Sequence, residues 1–169
     1  CTNFGVCGKD PDSAGLQDLL VHLTKGISQY AYRIGRLGTR DHEIDVFVLE
    51  ALFTTVTNVN FDSDRLAGLI RKACEIRKKA EKLYLDACQK KGINPEKISG
   101  PAIFNVPGNK SEMLKVAEEV SIEKDISSGN DDAGALRWLL TFGLKGAAAY
   151  ADHAQILGKE SSEIYAEFY

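Results

Sequence analysis

The 169-residue sequence is poor in several residue types that carry chemistry or mark a cellular address. It has four prolines, one tryptophan, one methionine and three histidines. No apolar run approaches the roughly 20 residues that a membrane-spanning helix needs, and no secretory signal pattern is present. The charge is nearly balanced, at a formal -3. The one basic stretch, RKACEIRKKAEK, is interleaved with Glu75 and Glu81 and reads as a solvated helix face. No Ser-His-Asp set, phosphate-binding loop or His-Glu-rich metal motif occurs. His22, His42 and His153 read as surface or structural histidines. These absences predict a cytoplasmic protein with neither nucleic-acid nor membrane partners.

Four cysteines remain, at positions 1, 7, 74 and 88. The last two fall in one helical pattern. At 1.5 Å per residue they would be roughly 21 Å apart on a straight helix, too far to share a disulfide or a metal. They read as small, partly buried hydrophobes. Cys1 and Cys7 sit together in CTNFGVCGKDP, ahead of the first helix. Their spacing alone leaves a metal site, a disulfide and free thiols open.

What is there is mostly helix. Asp10 can cap and Pro11 can open a helix whose apolar stripe runs Leu16, Leu19, Leu20, Leu23, Ile27, Tyr30 and Ile34. A second helix is predicted from Asp41 to about Asn58, with the β-branched run TTVTNV weakening its end. A third starts at Asp62 or Ser63 and runs to about Lys91, where Gly92 stops it. Three long helices with short links predict an all-α antiparallel three-helix bundle. Three prolines and three glycines in GINPEKISGPAIFNVPGN predict a connector, with a short extended piece at AIFNV. A short helix over about 110–120 and a polar turn at ISSGNDD lead to another long helix. The predicted division is 1–91, a cysteine loop and first bundle; 92–130, a connector with a short helix; and 131–169, the start of a second bundle.

That last helix repeats the first. LQDLLVHLTKGISQYAYRIGRLG at 16–38 aligns without gaps to LRWLLTFGLKGAAAYADHAQILG at 136–158, at an offset of 120. Leu16, Leu19, Leu20, Lys25, Gly26, Tyr30, Ala31, Leu37 and Gly38 have identical partners, and Glu43-Ile44 matches Glu163-Ile164. Self-similarity at a fixed offset implies a duplicated unit. The shared mid-helix glycine costs about 1 kcal/mol relative to alanine. It therefore predicts close approach of another backbone at Gly26 and at Gly146. A ridge of Gly143, Ala147, Ala151 and Ala154 predicts tight helix packing in copy two. Asp18 and His22 are replaced by Trp138 and Phe142, so that face turns from polar to aromatic and is predicted to be covered. Copy two ends about ten residues into its second helix, so the chain reads as a piece of a larger polypeptide.

The run CTNFGVCGKDPDSAGLQDLLVHLTKGISQYA resembles the N-terminal region of the hybrid-cluster proteins, also called prismane proteins or hydroxylamine reductases. ALRWLLTFGLKGAAAYADHAQILG with SSEIYAEF resembles the start of their second helical bundle. The resemblance covers nearly the whole chain and is weakest over 92–110. It implies that Cys1 and Cys7 are the third and fourth cysteine ligands of a 4Fe–4S cluster, the first two lying before residue 1. It implies an intact oxidoreductase that reduces hydroxylamine to ammonia, with nitric oxide as a further substrate. It also implies a second, hybrid iron–sulfur–oxygen cluster whose ligands are not in this chain. The segment would serve electron input and scaffolding, without catalytic residues and inactive alone. Its partners would be the remaining catalytic domains of the same polypeptide and a redox electron donor. Two alternatives are a helical interaction module presenting Trp138 and Phe142, and a domain like that of the carbon monoxide dehydrogenases.

Overall fold

The computed structural model describes residues 5, 7–122, 124 and 131–169. Helix α1 spans Pro11–Arg36, α2 His42–Thr54 and α3 Ser63–Lys91. A 3-10 turn at Gly100–Ile103 leads to α4, Lys110–Ala117, and a second 3-10 turn at Glu118–Val120. Helices α5, Asp131–Ile156, and α6, Ser162–Ala166, complete the described chain. No strand occurs among the described residues. The polypeptide is an all-α bundle followed by a connector and the opening of a second, like unit.

The helix starts follow the capping chemistry of the sequence. Asp10 accepts from the Ser13 N–H at 2.7 Å, Asp41 from Ile44 at 3.2 Å, and Asp62 from Asp64 and Arg65. Each carboxylate satisfies N–H groups that the first helical turn leaves without partners. At the other end of α3, Gly92 takes the left-handed conformation, as the stop signal requires.

Two boundaries differ from the sequence reading. Helix α2 ends at Thr54 rather than near Asn58. Thr55, Val56 and Thr57 are β-branched and carry the chain out of the helix, and Asn58 adopts a positive φ of 65°. The extended piece expected at AIFNV is instead partly a 3-10 turn, because Gly100-Pro101 opens a tight turn rather than a strand. The polar turn at ISSGNDD lies largely outside the described residues.

Helix α1 is the axis of the first bundle. Its stripe of Leu16, Leu19, Leu20, Leu23, Ile27 and Ile34 packs into one core with Phe47, Val48 and Leu49 of α2 and Leu66, Ile70 and Ala73 of α3. Met113 and Ala117 of α4 close one side. Helix α2 also receives α5 on its other flank, through Ala148 and the buried polar residues Thr141, Lys145 and Asp152. Gly143 and Ala147 are exposed, so the ridge of small residues is not the packed face. Cys88 is buried and Cys74 half-buried, and both are free thiols, in keeping with their apolar reading. In RKACEIRKKAEK the charged residues lie mostly on the exposed flank of α3, and Ala73, Ile76 and Ala80 enter the core.

The duplication holds in the backbone. Helices α1 and α5 end at the same offset of 120, at Arg36 and Ile156. Both end on the same C-terminal motif. Gly38 and Gly158 donate to Gly35 and Gln155, and Thr39 and Lys159 donate to Ile34 and Ala154. The two glycines have φ of 75° and 72°, a conformation that costs other residues strain. Asp41 caps Ile44 and Ser161 caps Ile164, again at equivalent positions.

Candidate functional site

The sequence places its candidate chemistry ahead of α1. Cys1 lies outside the described residues. Cys7 is exposed, with a free thiol, in a turn closed by two hydrogen bonds. The Gly5 N–H donates to the Lys9 carbonyl and the Gly8 N–H to the Gly5 carbonyl, both at 2.8 Å. Gly8 sits at a φ of 86°, which lets the chain reverse directly after the thiol.

This turn is fixed to the bundle by side chains that the sequence reading did not single out. Lys9 is buried, and its ammonium donates to Gln17 Oε1 at 2.7 Å. Gln17 in turn donates to the Asn60 carbonyl at 2.8 Å, and Asn60 Nδ2 donates to Thr54 Oγ1 at 2.9 Å. The Ser13 hydroxyl lies 3.1 Å from both Asp10 Oδ2 and the Phe61 carbonyl. One buried polar chain thus runs from the cysteine turn through α1 to the link between α2 and α3. A buried ammonium is costly unless it is hydrogen-bonded, so Lys9 and Gln17 hold each other in place. The sequence clue was a lysine two residues after Cys7.

The electrostatics around the turn favour negative charge. The N-terminal end of α1 contributes the positive end of its dipole. Backbone donation from Ser13 holds the Asp10 carboxyl below the ordinary carboxylate range. Deeper in, burial lowers the Lys145 ammonium to about 8, and the negative charge of Asp18 works against that fall. Burial likewise raises Asp18, against donation from the Ile122 N–H at 3.1 Å.

Asp18 and Lys145 belong to opposite copies of the repeat, and the reverse pairing is also present. Lys25 of copy one sits over the Trp138 ring of copy two, 4.5 Å from its centroid. Position 138 is the equivalent of 18, and 145 the equivalent of 25. Each of these lysines thus acts on the equivalent position, 18 or 138, of the other copy. That explains the Asp18-to-Trp138 difference: one lysine faces a carboxylate and the other an aromatic ring. Trp138 is 4% exposed, with the Lys25 ammonium of the first bundle over its ring, whereas Phe142 is exposed. The pair expected to form one docking surface is split between these two roles.

The histidines do not converge. His22 packs edge-on against Phe104 and His153 against Phe53, while His42 lies 3.7 Å from Glu160 on the surface. Among the described residues no three His, Cys, Asp or Glu side chains gather to hold a metal. Cys7 has the donor chemistry for an iron–sulfur cluster: a thiol presented outward from a fixed turn, at a helix N-terminus, backed by a buried ammonium. Its companion ligands would come from outside the described residues. No helix among the described residues is long and apolar enough to cross a membrane.

Taken together, these features define an all-α protein with a duplicated helical unit and a thiol-bearing turn at the head of its first helix. The sequence model of the Prismane/CO dehydrogenase family matches residues 1–169, and the chain belongs to that family. It is 44% identical over 168 residues to a hydroxylamine reductase of Acidithiobacillus ferrooxidans, covering 99% of this chain and 30% of that protein. It is 47% identical over 167 residues to a hydroxylamine reductase of Halothermothrix orenii, covering 98% of this chain and 29% of that protein. With a hydroxylamine reductase of Rhodospirillum rubrum it shares 43% over 166 residues, or 98% of this chain and 30% of that protein. The chain therefore spans about 30% of the length of the curated relatives it matches.

Proposed function

We propose that this chain is the N-terminal part of an iron–sulfur oxidoreductase that reduces hydroxylamine to ammonia. The observation that carries the reading is identity above 40%, along nearly its whole length, to proteins named hydroxylamine reductase. In this reading residues 1–91 form the cluster loop and first bundle, 92–130 the connector, and 131–169 the opening of the second bundle. Cys1 and Cys7 would supply two of four thiolates to a 4Fe–4S cluster, and that cluster would supply one-electron chemistry. The turn at Gly5–Lys9 fixes the direction of the Cys7 thiol, and Lys9 and the α1 N-terminus place positive charge behind it. Reduction of hydroxylamine to ammonia and water takes two electrons and two protons. In this reading a hybrid iron–sulfur–oxygen cluster, held by other parts of the polypeptide, would supply the reducing chemistry. A redox donor delivers the electrons, and a cytoplasmic setting goes with free thiols at Cys74 and Cys88.

The experiment uses the full-length polypeptide, expressed anaerobically. Iron and acid-labile sulfide are measured along with consumption of hydroxylamine driven by a reduced dye. The Cys7→Ser variant is expected to lose the absorbance and magnetic signature of the cubane cluster and the dye-driven turnover, while its helical circular dichroism is retained. A fully loaded, fully active Cys7→Ser enzyme would remove Cys7 from the ligand set. The 169-residue chain alone is expected to show no turnover, and measurable turnover would refute its non-catalytic role.

A further inference from the structure

The buried polar chain behind the cysteine turn does not stop at Asn60. Asn60 Nδ2 donates to the Thr54 hydroxyl at 2.9 Å, and the carbonyl of the next residue, Thr55, accepts from the Lys145 ammonium at 3.3 Å. Lys9, Gln17, Asn60 and Thr54 thus lead from the Cys7 turn to a lysine of the second unit. Lys145 is 6% exposed, and it forms no ion pair among the described residues. The Phe142 ring centroid lies 5.4 Å from its ammonium. The charges that act on it are Asp18 and Lys25 of α1 and Lys9 of the cysteine turn, while α2 contributes the Thr55 carbonyl. Glu50 of α2 acts instead on Asp152, about two helical turns further along α5.

An ammonium in such a place responds strongly to neighbouring charge, because little water is there to screen it. Burial brings the Lys145 pKa down to about 8, so its proton comes and goes within a pH range that a protein tolerates. An electron entering at Cys7 adds negative charge at the other end of the hydrogen-bonded chain, and negative charge strengthens the hold of a lysine on its proton. We propose that Lys145 is the proton-linked charge that sets the potential of electron input at Cys7. Protonated, it favours the reduced state; where the oxidised protein has lost that proton, Lys145 regains it from solvent as the electron arrives. One electron comes from the redox donor and one proton binds the Nζ lone pair, so charge balances and no bond in the chain breaks. Asp18 lines a cavity of about 820 Å³ with His22, Lys25 and Arg137, which gives the proton its route from solvent. Lys145 touches no reacting atom and is a positioning residue that acts through its charge. The inference rests on the reading that Cys7 holds a 4Fe–4S cluster, and adds to it the group that tunes that site.

The test uses the full-length polypeptide, expressed anaerobically. The midpoint potential of the cubane cluster is titrated with redox mediators and followed by its magnetic signature, between about pH 7 and pH 10. The wild-type potential is expected to be level near neutral pH and to fall as the pH rises past about 8. Each tenfold gain in proton affinity on reduction makes the total fall larger by about 59 mV. Lys145→Met is expected to keep its cluster, with a lower potential at neutral pH and no such fall. Lys145→Arg, whose guanidinium stays charged throughout, should hold the higher potential, also without the fall. Asp18→Asn should move the onset to lower pH, because a charge that works against the lowering of Lys145 is gone. A lysine that only joined the two units would change the melting temperature and leave the potential unmoved. A wild-type potential that is level over the whole range, or that falls identically in Lys145→Met, overturns the proposal. A wild-type polypeptide without the cubane signature would overturn the reading of Cys7 and this inference with it.

Discussion

Gly26→Ala sets two known effects against each other, and the structure decides which wins. Alanine in place of a mid-helix glycine should stabilise α1 by about 1 kcal/mol. Against this, the new methyl meets main chain rather than the end of a flexible side chain. It would lie 2.6 Å from the Pro101 carbonyl carbon and 3.0 Å from the Ala102 nitrogen. Ordinary contact needs roughly 1 Å more. The turn cannot retreat freely, because Ala102 is buried and its N–H is held by Gln29 at 3.1 Å. Overpacking of this kind costs about 1–3 kcal/mol, and losing the Gln29 hydrogen bond adds about 1 kcal/mol. The net expectation is a loss of about 1–3 kcal/mol. For a chain of this size that is a fall in melting temperature of roughly 5 °C. Urea unfolding followed by circular dichroism at 222 nm reads it directly, as a lower midpoint with an unchanged slope. A Gly26→Ala protein as stable as wild type, or more so, would mean that the close approach of Pro101 is not what the glycine is for.

Two further predictions concern charge. Lys145 has its pKa lowered by burial to about 8, from an ordinary 10.5, so between those values the unfolded chain binds more protons than the folded one. Stability should therefore rise with pH across that window, by about 3 kcal/mol in total, and the rise should be absent from Lys145→Met; parallel pH profiles for the two proteins would refute it. Burial pushes the Asp41 carboxyl up, but donation from Lys79 at 2.7 Å and from the Ile44 N–H outweighs this and holds it below the usual range. Its contribution should be present above about pH 4 and fade as the pH falls through the folded-state pKa, with Asp41→Ala losing about 1 kcal/mol at pH 7 for the cap alone, measured by chemical denaturation.

Much of the fold was legible because local signals and packing agree. Asp10-Pro11, Asp62 and Gly92 sit where capping chemistry needs them, and the apolar stripe of α1 has one bundle to enter. The end of α2 was misplaced because an apolar and β-branched run can extend a helical stripe on paper while its crowded side chains end it. The turn at Gly100–Ile103 was invisible as structure, yet its effect was legible in α1. A glycine held at a cost in helix energy marked the place where another backbone arrives. The cysteine turn was legible only as Cys7. Its supports, Lys9, Gln17 and Asn60, come from three separate stretches of the sequence, and no spacing rule joins them.

The repeat shows why identical residues need not mean identical roles. Lys25 and Lys145 occupy the same register, but one covers an aromatic ring and the other is buried beside a carboxylate, donating to the Thr55 carbonyl at 3.3 Å. The cause is the divergence of the partner positions, 18 and 138. Lys25 lies over the Trp138 ring and the Asp18 charge acts on Lys145, and positions 18 and 138 have diverged. Exchanging them tests this. Trp138→Asp should leave Lys25 opposite a new carboxylate and be tolerated better than Asp18→Trp. The latter removes a negative charge that works against the burial of Lys145 and crowds the Ile122 N–H contact. Urea midpoints for the two variants should fall in that order, and the opposite order would mean that the two lysines are not paired across the repeat in this way.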